Sequence, residues 1–281
     1  MNILITGANG QLGNEMRILS AQHPQHTYFF TDVAELDITS REAVATFVQE
    51  QQIDVIVNCA AYTNVDKAED DELTAHAINA LAVENLGLSG ARVIHISTDY
   101  VFSGDGCVPY TEEDAVAPNT AYGRTKLAGE QLLLQVCPEA IIIRTAWLYS
   151  TFGNNFVKTM LRLGQERESL GVVFDQIGTP TYAADLASAI FAAIESEEWH
   201  AGVYHFTDEG VCSWYDFTHE IFARANIVDC QLRPILSSEY QYKTPRPHFS
   251  VLNKSKIKST FGIAIPHWTE ALQVCLEKLL S

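Results

Sequence analysis

Short apolar segments alternate with helical patterns over the first 150 residues of this 281-residue chain. The apolar segments span residues 3–5, 28–32, 54–58, 93–97 and 140–143, and helical patterns follow at 11–20, after Ser40, at 72–88 and around Tyr122. Strands that are apolar on both faces and alternate with helices form a parallel, doubly wound sheet. Right-handed connections then bring the carboxyl ends of all these strands to one edge, where ligands bind. The sequence therefore predicts an α/β fold with a ligand site at that edge.

The alternation becomes less regular after about residue 150. Amphipathic helical patterns at 155–165 and 183–194, and two later ones near 214–225 and 267–279, are separated by short strands and loops. No repeat, charge run or low-complexity linker divides the chain. We therefore expect a first domain at 1–150 and a smaller C-terminal lobe at 151–281. We expect the lobe to be interleaved with the first domain, through segments that return to it.

The composition argues against several classes of protein. A formal net charge of −17 disfavours binding to nucleic acid, whose phosphates require clustered Lys and Arg. No apolar run is long enough to cross a bilayer, and no signal-peptide pattern precedes the first strand. Six scattered cysteines without a C-x-x-C pair are typical of reduced thiols. We expect a soluble cytoplasmic protein without a nucleic-acid or membrane partner.

A glycine-rich turn, Gly7-x-x-Gly10-x-x-Gly13, follows the first strand and opens the first helix. In that context the glycines permit a tight turn and let the backbone approach a pyrophosphate, to which the helix N-terminus offers N–H donors. A turn without a ligand is the alternative. Asp32, at the end of the second strand, has the spacing of an acid that binds the adenosine ribose and repels a 2′-phosphate. It could equally be a solvent-exposed acid.

Tyr122 and Lys126 are four residues apart, so a helix would place both side chains on one face. A protonated lysine favours a neighbouring phenolate, so we expect the pKa of Tyr122 to be lowered. The tyrosine would protonate a carbonyl oxygen while hydride reaches the carbon, and Thr98 at the fourth strand's tip would hold that oxygen. A surface Tyr and Lys on an ordinary amphipathic helix is the alternative. The order of the glycine turn, Thr98 and this pair favours nicotinamide-dependent carbonyl reduction.

These features together resemble the dTDP-4-dehydrorhamnose reductase family of the extended short-chain dehydrogenase/reductase superfamily. The similarity runs through the glycine turn and residues 58–69, 97–102, 122–130, 144–149, 153–156, 175–181 and 246–247. The motifs at 98–102 and 175–181 are more specific than the signature shared by the superfamily. The resemblance implies a Rossmann-type fold whose C-terminal lobe binds substrate. It implies reduction of the C4 ketone of dTDP-6-deoxy-L-lyxo-4-hexulose (dTDP-4-dehydro-L-rhamnose) by NADPH or NADH to dTDP-L-rhamnose, for cell-surface polysaccharide biosynthesis.

The resemblance also implies roles for individual residues. Tyr122 matches the proton donor, Lys126 its pKa-lowering and ribose-binding partner, and Thr98 the residue that stabilises the oxygen. Asp99 and Trp147 match positions that contact the sugar. Besides Gly7 and Gly13 of the turn, the residues that match cofactor positions are Gly10, Gln11, Leu12, Asp32, Asp37, Ile38, Ala61, Tyr62, Thr63 and Ile96.

Two side chains beyond the sheet are candidates for the walls of a sugar-nucleotide site. Arg246 lies between Pro245 and Pro247, in a stiff segment that suits a guanidinium binding a diphosphate. A surface arginine in a proline-rich loop is the alternative. Trp147, beyond the fifth strand, is from its position either a core aromatic or a wall for a sugar ring.

The metal, the assembly and the preferred dinucleotide stay open at this point. Some relatives dimerise through a magnesium ion held partly by a glutamate of the first helix, which Glu15 matches. Its partners among Glu195, Glu197 and Glu198 cannot be assigned from the sequence, and both a monomer and a homodimer fit. Asp32 favours NADH without excluding NADPH.

Three other functions compete with a reductase. A sugar-nucleotide dehydratase of this superfamily needs an acid where Tyr100 stands. A 4-epimerase should keep its dinucleotide tightly bound. A non-catalytic regulatory subunit, related to the methionine adenosyltransferase beta subunit, would have no reason to keep Thr98, Tyr122 and Lys126 together.

Overall fold

A six-stranded parallel sheet, in the order β10-β5-β4-β3-β1-β2, organises the computed structural model, which describes residues 1–281. The strands are β1 (Asn2–Thr6), β2 (Thr27–Thr31), β3 (Val55–Asn58), β4 (Arg92–Thr98), β5 (Ile141–Thr145), β6 (Leu148–Tyr149), β7 (Ser169–Val173), β8 (Ile177–Gly178), β9 (Thr181–Tyr182), β10 (Gly202–His205), β11 (Cys212–Ser213) and β12 (Gln231–Ile235). The helices are α1 (Gln11–Ser20), α2 (Arg41–Glu50), α3 (Val65–Asp70), α4 (Glu72–His76), α5 (Ala82–Gly87), α6 (Ala121–Val136), α7 (Phe156–Glu166), α8 (Ala183–Ile194), α9 (Trp214–Arg224), α10 (Ser255–Phe261) and α11 (Trp268–Leu280). The predicted α/β class with a doubly wound parallel sheet is confirmed.

Both faces of the central strands are buried, as their apolar runs predict. Along β1, Ile3 and Ile5 pack into a cluster with α1 and α8, whereas Leu4 packs on the opposite face with α2, α5 and α6. The helix predicted after Ser40 begins there, because the Ser40 hydroxyl oxygen accepts the N–H of Ala43 at 3.3 Å. Hydrophobic burial on two faces and a capped helix start together fix this part of the fold.

The helix predicted at 72–88 is interrupted. A π-helical segment, Ala77–Leu81, separates α4 from α5, and the short helix α3 precedes both without having been predicted. At the interruption Asn79 is fully buried, and its side-chain amide bonds both the N–H and the carbonyl of Tyr62. The π-turn therefore places a polar side chain on the loop after β3, which a continuous α-helix would not require.

Residues after 150 contribute to two different cores. β10 extends the sheet beside β5, and α8 packs against α1 beneath it. A second cluster of buried side chains forms among α7, α9 and α11 and their neighbouring short strands. The division at residue 150, with a substrate-binding lobe beyond it, stays a prediction. None of the helices combines the length and the hydropathy that a membrane span requires.

Candidate active site

Two cavities open at the carboxyl edge of the sheet. The smaller, of about 330 Å³, lies between the glycine turn and the ends of β2 and β3. The larger, of about 670 Å³, extends from the end of β4 across the C-terminal segments. The predicted cofactor residues that line the smaller cavity are Gly7, Gly10, Asp32, Asp37, Ile38 and Ala61. The predicted substrate residues that line the larger are Asp99, Trp147 and Arg246.

The glycine turn has the geometry of a cradle for a dinucleotide. Gly7 has φ +64°, and a Cβ there would lie 2.6 Å from the backbone nitrogen of Ala60. A Cβ on Gly13 would collide with the carbonyl oxygen of Gly7. Gly10 precedes α1 without a side-chain cap, so the first amides of the helix remain free to bind an anion. The residues present therefore fit the pyrophosphate of a dinucleotide.

The other predicted cofactor residues contribute in different ways. Gln11 accepts a hydrogen bond from Asn155 at 3.0 Å, and so joins α1 to the C-terminal half of the chain. Leu12 is buried in the core, Tyr62 is held through its backbone, and Thr63 is exposed in the loop before α3. Their contact with a cofactor stays a prediction.

Asp32 is anchored at the rim of the smaller cavity by backbone donors. Its carboxylate accepts the N–H of Asn9 at 3.1 Å and that of Val33 at 2.8 Å. The carboxylate of Glu35 in turn accepts the N–H of Asp32 at 2.9 Å, and Asp37 lines the same cavity. This acidic rim suits ribose hydroxyls better than a 2′-phosphate.

Lys126 is buried between α6 and β4, with 1% of its surface exposed. Its Nζ donates to the carbonyl oxygen of Ile96 at 2.7 Å and lies 3.2 Å from Nε2 of His95. Ile96 thus contributes its backbone to the site. Burial lowers the pKa of Lys126 to about 8, while the carboxylate of Glu130 opposes the shift. The lysine therefore titrates close to neutral pH.

Tyr122, in the first turn of α6, packs edge-on against Tyr100 with ring centroids 5.3 Å apart. Burial raises the pKa of Tyr122 to about 12; a hydrogen bond with Thr98 opposes the shift and the charge of Asp99 adds to it. The expected lowering of this pKa by Lys126 is therefore wrong for the free protein. The physical reason is that desolvation of the phenolate dominates, and the lysine amine is engaged by His95 and the carbonyl of Ile96.

Asp99 is buried at the inner end of the larger cavity. The Thr98 hydroxyl donates to its Oδ1 at 2.9 Å, while Oδ2 has no hydrogen-bond partner. Burial raises the pKa of Asp99 to about 7, while the neighbouring Thr98 and Ser250 hydroxyls and the nearby backbone oppose the shift. A buried carboxyl oxygen without a partner is a candidate to bind a polar ligand group once the side chain or its surroundings move.

Trp147 forms a wall of the larger cavity rather than part of a closed core. Its backbone has φ +49°, which is unusual for a residue with a large side chain. The ring stacks on Trp214 with centroids 3.4 Å apart and planes 9° from parallel, and Phe156 packs beside Trp214. Trp214 also lines the cavity, so the stacked pair contributes apolar surface to it.

Arg246 lines the larger cavity and is held by an ion pair. Its Nη2 lies 3.0 Å from Oδ2 of Asp66, and its buried Nη1 has no hydrogen-bond partner. The Tyr242 ring lies 6.0 Å from the guanidinium carbon. The side chain thus lines the cavity, with one donor that is buried and unpaired.

Sequence reasoning missed three residues at this edge: Asn79, His95 and Trp214. His95 and Asn79 are polar and fully buried, next to Lys126 and the Tyr62 loop respectively. A histidine inside an otherwise apolar strand was the available signal for His95. Trp214 gave no such signal, because an aromatic residue at a helix start is also typical of a core.

Glu15 is not arranged as a metal ligand. It is 3% exposed, and its carboxylate accepts the Ser150 hydroxyl at 2.6 Å. Of the other candidates, Glu195 has its Oε1 2.7 Å from Nδ1 of His23 and 3.2 Å from Nε2 of His26. The chain holds no group of three or more His, Cys, Asp or Glu side chains that could bind a metal ion.

Comparisons with known proteins show the family of this chain. The family described as the RmlD substrate binding domain matches residues 1–281. A dTDP-4-dehydrorhamnose reductase of Aggregatibacter actinomycetemcomitans is 41% identical, over 96% of this chain and 97% of the relative. The crystal structure of a dTDP-4-dehydrorhamnose reductase from Clostridium acetobutylicum superimposes with a TM-score of 0.96, at 44% identity and with 100% of both chains covered. That of the Bacillus anthracis enzyme in complex with NADP has a TM-score of 0.94, 39% identity and 99% coverage of both chains. The chain therefore belongs to the RmlD substrate-binding domain family, together with the dTDP-4-dehydrorhamnose reductases.

Proposed function

We propose that this protein reduces the C4 ketone of dTDP-4-dehydro-L-rhamnose to the alcohol of dTDP-L-rhamnose, with NADPH or NADH as the reductant. The observation that carries the proposal is the contact of Thr98 with Asp99 and of Tyr122 with Tyr100, because Asp99 and Tyr100 line the larger of two cavities. The smaller is shaped by a glycine turn for a dinucleotide, and the larger has an aromatic wall and a cation. The nicotinamide dinucleotide, when bound, supplies the hydride.

Tyr122 is the proton donor in this proposal. Its raised pKa keeps the phenol protonated at neutral pH, so a proton is available when the ketone oxygen gains negative charge. The Thr98 hydroxyl, which donates to Asp99 in the free protein, would turn to donate a second hydrogen bond to that oxygen. During the step the phenol O–H bond breaks and the alcohol O–H bond forms. Lys126, which titrates near neutral pH, then stabilises the Tyr122 phenolate and restores its proton.

The larger cavity binds the sugar nucleotide in this proposal. Asp99 presents its unpartnered Oδ2 to a sugar hydroxyl, and the indoles of Trp147 and Trp214 pack against the ring or the base. Arg246 presents its free Nη1 to the diphosphate. Each group therefore meets the part of the substrate that matches its chemistry.

We place the reaction in the cytoplasm, where six unpaired cysteines remain reduced. The test is oxidation of NADH and of NADPH, followed by absorbance, with a panel of dTDP- and UDP-linked 4-keto-6-deoxy sugars. We expect turnover with dTDP-4-dehydro-L-rhamnose and formation of dTDP-L-rhamnose. Absence of turnover with every member of the panel would overturn the proposal. Purification with a tightly bound dinucleotide and no net oxidation of added cofactor would indicate an epimerase instead.

A further inference from the structure

A chain of buried hydrogen bonds runs behind the active site, from β1 to Lys126. The Thr6 hydroxyl donates to Oδ1 of Asn58 at 2.7 Å, and Nδ2 of Asn58 lies 3.0 Å from Nδ1 of His95. Nε2 of His95 lies 3.2 Å from Nζ of Lys126. The strand register aligns Thr6 with Asn58 and Asn58 with His95, so the sheet itself builds the chain. All four side chains are at most 1% exposed.

The orientation of the Asn58 amide is fixed by a backbone group that is not part of this row of hydrogen bonds. Its Oδ1 accepts the backbone N–H of Ala60 at 3.1 Å in addition to the Thr6 hydroxyl. A backbone N–H only donates, so this atom has to be the oxygen and the atom facing His95 has to be the nitrogen. Because an amide nitrogen donates as well, Nδ1 of His95 has to accept.

That requirement determines the tautomer of His95. A histidine whose Nδ1 accepts carries its single proton on Nε2, which is the atom that faces Lys126. If His95 were doubly protonated, its Nδ1–H would face the N–H of the Asn58 amide, donor against donor. Burial, followed by the charge of Lys126, lowers the pKa of His95 well below its usual value, in agreement with a neutral ring. An N–H group therefore points at the lysine nitrogen.

Only an uncharged amine offers a lone pair to that N–H. An ammonium group has three donors and no acceptor, so it would face His95 donor to donor. The contact with the Ile96 carbonyl fits either form of the lysine, because both have an N–H to donate. We infer that His95, oriented by Asn58, is a positioning residue that stabilises the neutral amine of Lys126. It thereby acts in the same direction as burial, towards loss of the lysine proton at a lower pH.

Other charged groups around Lys126 do not provide this bias. Glu130, on the same helix, favours the ammonium, but both oxygens of its carboxylate are bound by Arg144 of β5 at 3.0 and 2.7 Å. The remaining titratable side chains nearby are Tyr122 on α6 and Asp99 after β4. Of these groups only His95 contacts Nζ directly.

The consequence in catalysis rests on the proposed reduction. Nζ of Lys126 does not contact the Tyr122 hydroxyl, so return of the proton to Tyr122 needs a bridging hydroxyl or water. In that transfer a lysine N–H bond breaks, the phenol O–H bond re-forms, and the lysine is left as an amine. The Nε2–H of His95 then donates to that amine, which makes the transfer easier at neutral pH. A proton from solvent returns the lysine to its ammonium form.

The tautomer is measured in the cofactor-free wild-type protein by ¹⁵N NMR of its histidine side chains. We expect His95 to remain neutral, with the proton on Nε2, throughout the range of pH 6 to 9. A proton on Nδ1 would overturn the inference. Because this measurement needs no activity, it is independent of the proposed reaction.

The second test uses Asn58→Asp to reverse the direction of the hydrogen bonds from residue 58 through His95 to Lys126. A carboxylate would accept the Ala60 N–H, the Thr6 hydroxyl and a proton on Nδ1 of His95, so that Nε2 becomes an acceptor and favours the ammonium. The pKa of Lys126 is measured by ¹³C NMR of its Cε. We expect it to rise by at least about 1, because Nε2 of His95 changes from a donor to an acceptor towards the lysine. Thr6→Val is the control: the Ala60 N–H still fixes the amide, so the His95 tautomer and the Lys126 titration should stay as in wild type. An unchanged Lys126 pKa in Asn58→Asp, with the fold retained, would overturn the inference.

Activity gives a third readout. In Asn58→Asp the pH profile of kcat should move its alkaline limb upward by the amount of the NMR shift, with KM for the sugar nucleotide within about twofold. A merely structural role would lower kcat equally at all pH values, and that result would overturn the inference. An inactive wild type would refute the proposed function while leaving both NMR tests in force.

Discussion

Asp99→Asn should make the protein more stable at pH 8 and less stable at pH 4. The Asp99 side chain is 4% exposed, and burial raises its pKa from 3.8 to about 7. The folded state thus binds this proton more tightly than the unfolded state does. The resulting stabilisation is complete below pH 3.8 and is lost as the pH rises to about 7. The difference between the two pKa values corresponds to about 4 kcal/mol at the upper bound.

Asparagine escapes this loss because it carries no charge at any pH. Its Oδ1 keeps the hydrogen bond from Thr98, while its Nδ2 replaces an oxygen that has no partner. Burying that unpaired N–H₂ group costs about 1–2 kcal/mol at every pH. The free energy of unfolding of Asp99→Asn should therefore exceed that of wild type by about 2–3 kcal/mol at pH 8. The free energies of unfolding of wild type and Asp99→Asn should be equal near pH 5.

Urea unfolding at pH 4.5, 6 and 8, followed by tryptophan fluorescence and by circular dichroism, measures this difference. Asp105→Asn is the matched control, because it is the same substitution at an exposed position. If Asp99→Asn gives a difference that is independent of pH, Asp99 is ionised in the folded protein at pH 6 and the reasoning fails.

Three substitutions test the proposed reaction. Tyr122→Phe should lower turnover by about two to four orders of magnitude, the size expected for a general acid, and leave dinucleotide affinity within a few fold; near-wild-type turnover in steady-state kinetics would remove Tyr122 as the proton donor. Wild type should use NADH at least as well as NADPH, and Asp32→Ala should shift the ratio of kcat/KM values towards NADPH because a repulsive carboxylate is lost. A strong wild-type preference for NADPH would show that Asp32 does not contact the ribose. Arg246→Ala should raise KM for the sugar nucleotide far more than KM for the dinucleotide, since its side chain lines the larger cavity; equal small effects would assign Arg246 to the loop alone.

The sheet could be predicted because its signal is local. Each apolar run from 3–5 to 140–143 lies within a strand or within one residue of it, and the helix predicted at 11–20 has those bounds. The π-turn could not be predicted, because its cause is not local. Asn79 bonds the backbone of Tyr62, 17 residues away, and the Thr125 hydroxyl, 46 residues away. A helical pattern carries no information about those partners.

The sequence predicted where the site lies better than it predicted the protonation of its residues. Parallel strands end at one edge, so Thr98 and the glycine turn had to meet there. The pKa of Tyr122 depends instead on how completely the surrounding chain removes water, and on where the Lys126 amine points. Spacing along a helix gives neither quantity. The stacking of Trp214 on Trp147 likewise joins residues far apart in the sequence.

In the resting protein Tyr122 is protonated, so it can donate a proton but cannot accept one. With a pKa of about 12, Tyr122 is a phenol at pH 7, and its phenolate is populated at a level on the order of 10⁻⁵. Reduction of a ketone starts from the phenol, whereas oxidation of the alcohol has to start from the phenolate. Lys126, whose pKa of about 8 is set by burial, titrates four pH units closer to neutrality than Tyr122. In the proposed reduction, return of a proton from the lysine to the phenolate is therefore downhill, because the phenolate is the stronger base.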